Sequence, residues 1–193
     1  MNHYFDDIIH VMKNSLNKVD EEVFHNLIEH SKQTLLSGNQ IIVSGLGKNV
    51  PVCEKFVGTM MSLGMKAFYL NTNSAVHGDL GVVRDGDLVI ILTKSGETVE
   101  SVYLVEQLKQ RNVELWLLSF NQDSVLAKEL EHSLILELEH EGDAWNLVPN
   151  YSTILNLIIL QELAMCLSKE LDIPLEVFKQ NHPGGHIGMM LHK

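Results

Sequence analysis

Residues 89–98 change character abruptly. A run of apolar β-formers ends at Thr93, and hydroxyls, a glycine and a carboxylate follow before a helical pattern begins. A buried parallel strand feeding a tight turn into a helix N-terminus has this form. Such a turn presents free backbone N–H groups and the positive end of a helix dipole, which suits an anion, above all a phosphate. Ser95 and Thr98 add hydroxyl donors. Glu97 and Glu100 put carboxylates beside that phosphate, which is unfavourable unless they do chemistry or serve the helix. The same residues also fit an ordinary helix cap with Ser95 at the N-cap.

Four further pieces carry reactive side chains. Gly45-Leu-Gly47-Lys48 is a second glycine turn, with a lysine at a helix start; it is neither a dinucleotide fingerprint nor a Walker loop. Ala75-Val-His77-Gly-Asp79-Leu-Gly81 sets a histidine and an aspartate around glycine. Glu139-His140-Glu141 follows a predicted strand, and Asn181-His182-Pro-Gly-Gly185 lies near the C-terminal end. Each alone suits a structural role as well as a catalytic one.

The elements that must position them alternate. Residues 5–37 read as helical with a break at 17–20, and Gly38-Asn39 reads as a C-cap. Strands are expected at 40–44, 66–70, 88–92, 114–119 and 133–138. Helices are expected from the Lys48 turn to about 63, with Pro51 in the first turn, and at 98–110, 124–130, 150–171 and 174–179. Strands alternating with helices imply a parallel sheet covered on both faces, with ligands beyond the carboxyl ends of its strands. Both glycine turns leave strands at that edge. The chain thus reads as one domain over residues 1–193: an N-terminal helical extension (1–37) and an α/β core (40–193).

Composition bounds the partners. The chain has 193 residues, 45% hydrophobic and only 6% aromatic, so its core is mostly aliphatic. A formal net charge of -11 argues against nucleic acid or an anionic membrane surface as the main partner. Residues 154–167 come nearest to a membrane span but are broken by Asn156, Gln161 and Glu162. The start is acidic where a signal peptide would be basic and then apolar. Cys53 and Cys166 read as two reduced thiols, so a cytoplasmic protein is expected.

The order of these motifs resembles the sugar isomerase (SIS) domain, and more narrowly its arabinose-5-phosphate isomerase branch. The resemblance covers about residues 41–191. The Ser95-Gly-Glu97 turn with Glu100 marks the broad family; His77-Gly-Asp-Leu-Gly81 and His182-Pro-Gly-Gly185 mark the branch. It implies a three-layer α-β-α sandwich around a five-stranded parallel sheet. It also implies interconversion of a phosphorylated aldose and ketose through an enediolate, with no cofactor. The branch's functional lysine, glutamates and histidines fall on Lys48, Glu100, Glu141, His77 and His182. On this reading Glu100 or Glu141 is the carbon base, Lys48 stabilises developing negative charge, and the histidines serve ring opening and proton shuttling. Substrate contacts are expected from Ser44, Gly45, Gly47 and Asn49, from Thr93, Lys94, Ser95, Gly96, Glu97 and Thr98, and from Asp79 and Ser152. No metal is required, although His77 and His182 could hold Zn²⁺ or Ni²⁺ if they met in space.

The sequence also departs from the branch. Asn49 stands where a serine usually follows the lysine, and Trp145, Asn150 and Tyr151 replace small residues that flank Glu141, where they are expected to line the sugar pocket. Members often carry regulatory CBS domains after the His-Pro-Gly-Gly piece; with Lys193 as its last residue, this chain is expected to be a stand-alone form. The family forms dimers and tetramers with active sites near subunit interfaces, so a homo-oligomer is expected. Two other readings compete: a sugar-phosphate sensor without turnover, and a 6-phospho-3-hexuloisomerase-like enzyme, a group that lacks the two histidine motifs. The sensor reading lacks a fused DNA-binding helix-turn-helix in this sequence.

Overall fold

The computed structural model describes residues 4–191. Two helices open the chain, α1 (Tyr4–Leu16) and α2 (Glu21–Leu36), separated where the sequence pattern breaks. Asp20 caps α2 by accepting the Glu22 and Val23 N–H groups, and Gly38 takes a positive φ of 84° just past its end. Then follow β1 (Ile41–Gly45), α3 (Val50–Ser62), β2 (Ala67–Tyr69), β3 (Leu88–Leu92), α4 (Val99–Leu108), β4 (Glu114–Ser119), α5 (Val125–Glu129), β5 (His132–Ile135), α6 (Tyr151–Glu170), α7 (Leu175–Asn181) and α8 (Gly185–Leu191). Short 3-10 turns span Gly47–Asn49, Ala75–His77 and Asp79–Val82.

The five strands form one parallel sheet in the order β2-β1-β3-β4-β5. The chain steps from β1 outward to β2, then back across β1 to β3. The direction of winding therefore reverses between β1 and β3, and a ligand crevice opens at such a reversal beyond the carboxyl ends. Gly45 pairs with Leu92 in the register, so the turns after β1 and β3 leave adjacent strand ends.

Every residue of β1 and β3 is buried. Their side chains alternate between two cores, as the two-residue strand period requires. Ile41, Val43, Leu88, Ile90 and Leu92 face a core shared with Phe56 of α3, Leu27 of α2 and Leu155, Leu163 and Leu167 of α6. Ile42, Val89 and Ile91 face a second core with Leu104, Val105 and Leu108 of α4 and Leu126 of α5. The result is the expected three-layer α-β-α sandwich. α2 packs on β1, β3 and β5, and both α1 and α2 meet α6. By length and composition α6 would also pass as a membrane span, but half of that window is buried.

Several boundaries move for physical reasons. The expected strand 133–138 stops at Ile135, because β4 ends at Ser119 and accepts one last bond from Leu136 N–H (2.8 Å). α4 begins after Thr98, so Ser95 is not its N-cap. α8 starts at the last glycine of the His-Pro-Gly-Gly stretch and runs beyond it, where no helix was expected.

Candidate active site

The crevice between β1 and β3 is bordered by two helices whose N-termini lack side-chain caps. Neither Asn49 ahead of α3 nor Thr98 ahead of α4 makes a cap hydrogen bond. By contrast, Asp20 caps α2 and Ser124 caps α5 with their side chains, while α7, behind Pro174, has no such cap. The first-turn N–H groups of α4 are thus left to a ligand; at α3 the Val50 N–H already bonds Gly47 O and Pro51 has none, so that helix contributes chiefly its dipole, which favours an anion.

Local hydrogen bonds set the shape of the turn after β3. Gly96 N–H donates to Thr93 Oγ1 (3.3 Å), Glu97 N–H donates to Ser95 Oγ (3.2 Å), and Ser95 and Thr98 hydroxyls lie 3.5 Å apart. Gly96 has φ +67°, and a Cβ there would collide with Ser124; glycine is the residue that fits. Glu97 turns away from the crevice, its Oε1 accepting Val125 N–H at 2.8 Å. Ser44 is buried and shares a 2.8 Å hydrogen bond with Thr72, a residue the motifs did not single out. Lys48 projects from the exposed turn after β1 and has no ion pair or hydrogen bond among the described residues.

Asn49 is tied to α6. Its Oδ1 accepts from Asn156 Nδ2 at 3.0 Å, and its Nδ2 reaches Leu92 O at 3.5 Å. Asn156 is buried, and its own Oδ1 has no partner among the described residues. The substitution that removes the branch's usual serine thus comes with a polar partner on the facing helix.

Glu141 is fully buried and joins three segments. One carboxylate oxygen receives Lys94 Nζ at 2.5 Å; the other accepts the N–H groups of Asn150 (3.0 Å) and Ser152 (2.9 Å). The Glu141 main chain bonds the side chains of Asn146 and Asn150. Glu141 is therefore the cap of α6. Burial pushes its carboxyl up. The Lys94 ammonium, the Ser152 hydroxyl and N–H, and the Asn150 N–H outweigh that and hold it below the ordinary carboxylate range.

Tyr151 is turned inward. It is buried, its ring packs under Gly142, and its hydroxyl donates to Asp7 of α1 at 2.8 Å. Burial and that aspartate push the phenol up to about 12. Trp145 is 74% exposed on the loop beyond.

Glu100 stands exposed in the first turn of α4. The 3-10 turn carrying His77 packs against α4, and the neighbouring Asp79 accepts the Ser74 hydroxyl at 2.5 Å. His182 lies elsewhere. Its helix α7 is fastened to the C-terminal end of α3 by Asn181 Nδ2 bonds to Met61 O and Ser62 O, at 3.3 and 3.2 Å. α3 starts at the crevice and runs back along the sheet, so His182 sits at the opposite sheet edge and does not meet His77 within one chain. There it stacks on Phe178 (4.0 Å) with Nδ1 2.8 Å from Phe178 O.

A cavity of about 400 Å³ opens at the carboxyl ends of β4 and β5, lined by Asn14, Lys18, Asn121 and Glu137 among others. It includes none of the crevice residues.

A parallel sheet with helices on both faces and a winding reversal between β1 and β3 defines a doubly wound α/β protein. Residues 34–165 match the SIS domain, and the chain belongs to that family. It is 34% identical over 160 residues to the arabinose 5-phosphate isomerase KdsD of Pseudomonas aeruginosa, covering 82% of this chain and 49% of that protein. It is 35% identical over 184 residues to an uncharacterized protein of Chlamydia trachomatis, covering 95% of this chain and 56% of the relative. The chain thus spans about half the length of the curated relatives it matches. Among solved structures, E. coli CFT073 c3406 in complex with arabinose 5-phosphate superposes with a TM-score of 0.87 at 27% identity, covering 94% of each chain. The Vibrio vulnificus NanR protein complexed with ManNAc-6P shares the fold alone, with a TM-score of 0.74 at 15% identity over 91% of this chain and 64% of that one.

Proposed function

We propose that the protein is a sugar-phosphate aldose–ketose isomerase of the arabinose 5-phosphate/ribulose 5-phosphate type. The carrying observation is the pair of uncapped helix N-termini, α3 and α4, flanking one crevice with Lys48 at its rim and Glu100 in its first helical turn. The phosphate rests on the α4 N-terminus and the Ser95 and Thr98 hydroxyls. The reactive carbons then lie toward Lys48 and Glu100. A carboxylate takes the proton from carbon 2 of the aldose, the resulting enediolate oxygen is stabilised by the Lys48 ammonium, and the proton returns to carbon 1. The reaction redistributes electrons within one molecule and calls for no redox cofactor.

Glu100 suits the base role better than Glu141, whose carboxylate is consumed by Lys94 and the start of α6 and held low in pKa. His77, beside α4, serves ring opening. His182 joins the site only from a second copy of the chain, which fits a homo-oligomer. The two free thiols fit a reducing, cytoplasmic setting.

Proton exchange in D₂O, followed by NMR with arabinose 5-phosphate, ribulose 5-phosphate and fructose 6-phosphate, tests the reading. Deuterium at carbon 1 or 2, with aldose and ketose both accumulating, supports it and names the sugar. Saturable binding without exchange for any of them overturns it in favour of a sensor.

A further inference from the structure

We propose that His30, Glu114 and His132 form a transition-metal site at the sheet edge opposite the sugar crevice. His30 comes from α2, Glu114 opens β4 and His132 opens β5. They are 84 and 18 residues apart in sequence, and the sheet register brings the last two together by pairing Trp116 with His132. One donor atom from each lies within 4.8 Å of the other two, and His30 Nδ1 already contacts Glu114 Oε1.

Two imidazoles and a carboxylate are a donor set for Zn²⁺ or Co²⁺ that leaves a fourth position for water. Tetrahedral bonds of about 2.0–2.1 Å need donors some 3.3 Å apart. Small side-chain rotations close the remaining gap.

Trp116 holds all three ligands. Its indole stacks on His132 (4.9 Å, 16°), meets His30 edge-on (5.6 Å, 81°) and donates from Nε1 to Glu114 Oε1 at 2.6 Å. Outer contacts of this kind orient metal ligands. Two grooves of about 290 Å³ each meet at Glu114, one passing His30 and the other His132, so an ion has a way in. The side chains of His30 and Glu114 are about one-third exposed, at 36% and 33%. A bound ion would fasten α2 to β4 and β5.

The full-length protein, stripped with EDTA and carrying Trp145→Phe so that Trp116 is the only indole, is titrated with Co²⁺ and then challenged with Zn²⁺. The expected result is one equivalent of Co²⁺ with visible d–d bands, quenching of Trp116, displacement by Zn²⁺, and a rise of about 5–10 °C in unfolding temperature at a hundredfold excess over Kd. His132→Gln and, separately, Glu114→Gln should each weaken binding at least about tenfold, whereas His77→Gln should leave it unchanged. Absence of a saturable Trp116 response, or equal binding in whichever variant folds, overturns the proposal. Sugar-phosphate turnover does not enter this readout, so its outcome is independent of the isomerase reading.

Discussion

Lys94 Nζ lies 2.5 Å from Glu141 Oε1, across the sheet edge from the turn after β3 to the loop before α6. The lysine is half exposed and the carboxylate fully buried. One ion pair thus couples the turn after β3 to the helix that carries Asn156, and through it Asn49. Glu141 thereby ties these parts together.

Replacing Glu141 by Gln should therefore destabilise the fold. The charge-assisted bonds to Lys94 and two N–H groups are weakened, at about 1–3 kcal/mol. The pH dependence has a definite sign. A carboxyl held below its ordinary value stabilises the fold above about pH 4.5, and that contribution is lost as pH falls through the depressed folded value. Chemical denaturation between pH 3 and 7 should show wild type losing stability more steeply at the acid end than Glu141→Gln. Parallel curves would remove the ion pair from the account.

Much of this architecture is legible in the chain. The apolar runs 41–43 and 88–92 announce a sheet buried on both faces, and the two glycine turns mark its carboxyl edge. What stays hidden is where polar side chains point. Glu97 looks like a phosphate neighbour by its place in the turn, yet it caps α5. Tyr151 looks like a pocket residue by its nearness to Glu141, yet it reaches Asp7 in a helix 144 residues away. Asn156 is a visible polar interruption of an apolar helix, a signal that a buried partner exists. The His30–Glu114–His132 cluster has no such signal, because only strand register and helix placement bring it together.

Gly96 should tolerate no side chain. Its φ of +67° is costly for alanine, and the new Cβ would lie 2.5 Å from Ser124 Cβ. Ser124 cannot simply move, since its Oγ accepts Ala127 N–H at 3.2 Å as the cap of α5. Gly96→Ala should cost about 1–3 kcal/mol and weaken inorganic phosphate binding by reshaping the turn. Calorimetric titration with phosphate, beside a urea melt, checks both; an unchanged phosphate affinity would separate the turn from the anion site.

Asn49 and Asn156 should behave as a coupled pair. Asn49→Ser restores the branch's usual residue but strands the buried Asn156 amide, at about 1–2 kcal/mol. Asn156→Leu alone removes an oxygen that has no partner, while leaving Asn49 near solvent at the crevice. The double variant should then be more stable than the sum of the singles implies, by about 0.5 kcal/mol or more on the usual order of coupling energies. A double-mutant cycle by urea denaturation measures this directly, and additivity within error would dissolve the pair.

The separation of His182 from the crevice makes a sharper prediction about subunits. Glu100→Gln should lower turnover by about 10²–10⁴-fold as loss of a carbon base, and His182→Asn should also be strongly impaired. If each site takes Glu100 from one chain and His182 from another, a mixed dimer of these two variants contains one site with both native residues. The purified mixed dimer then keeps about half of wild-type activity. If His182 instead serves its own chain, every site in every mixed dimer lacks one residue, and mixing restores nothing. Co-expression with two affinity tags, followed by assay of the doubly purified species, distinguishes these outcomes. Full activity in His182→Asn alone would instead leave this histidine with its stacking on Phe178 as a structural role.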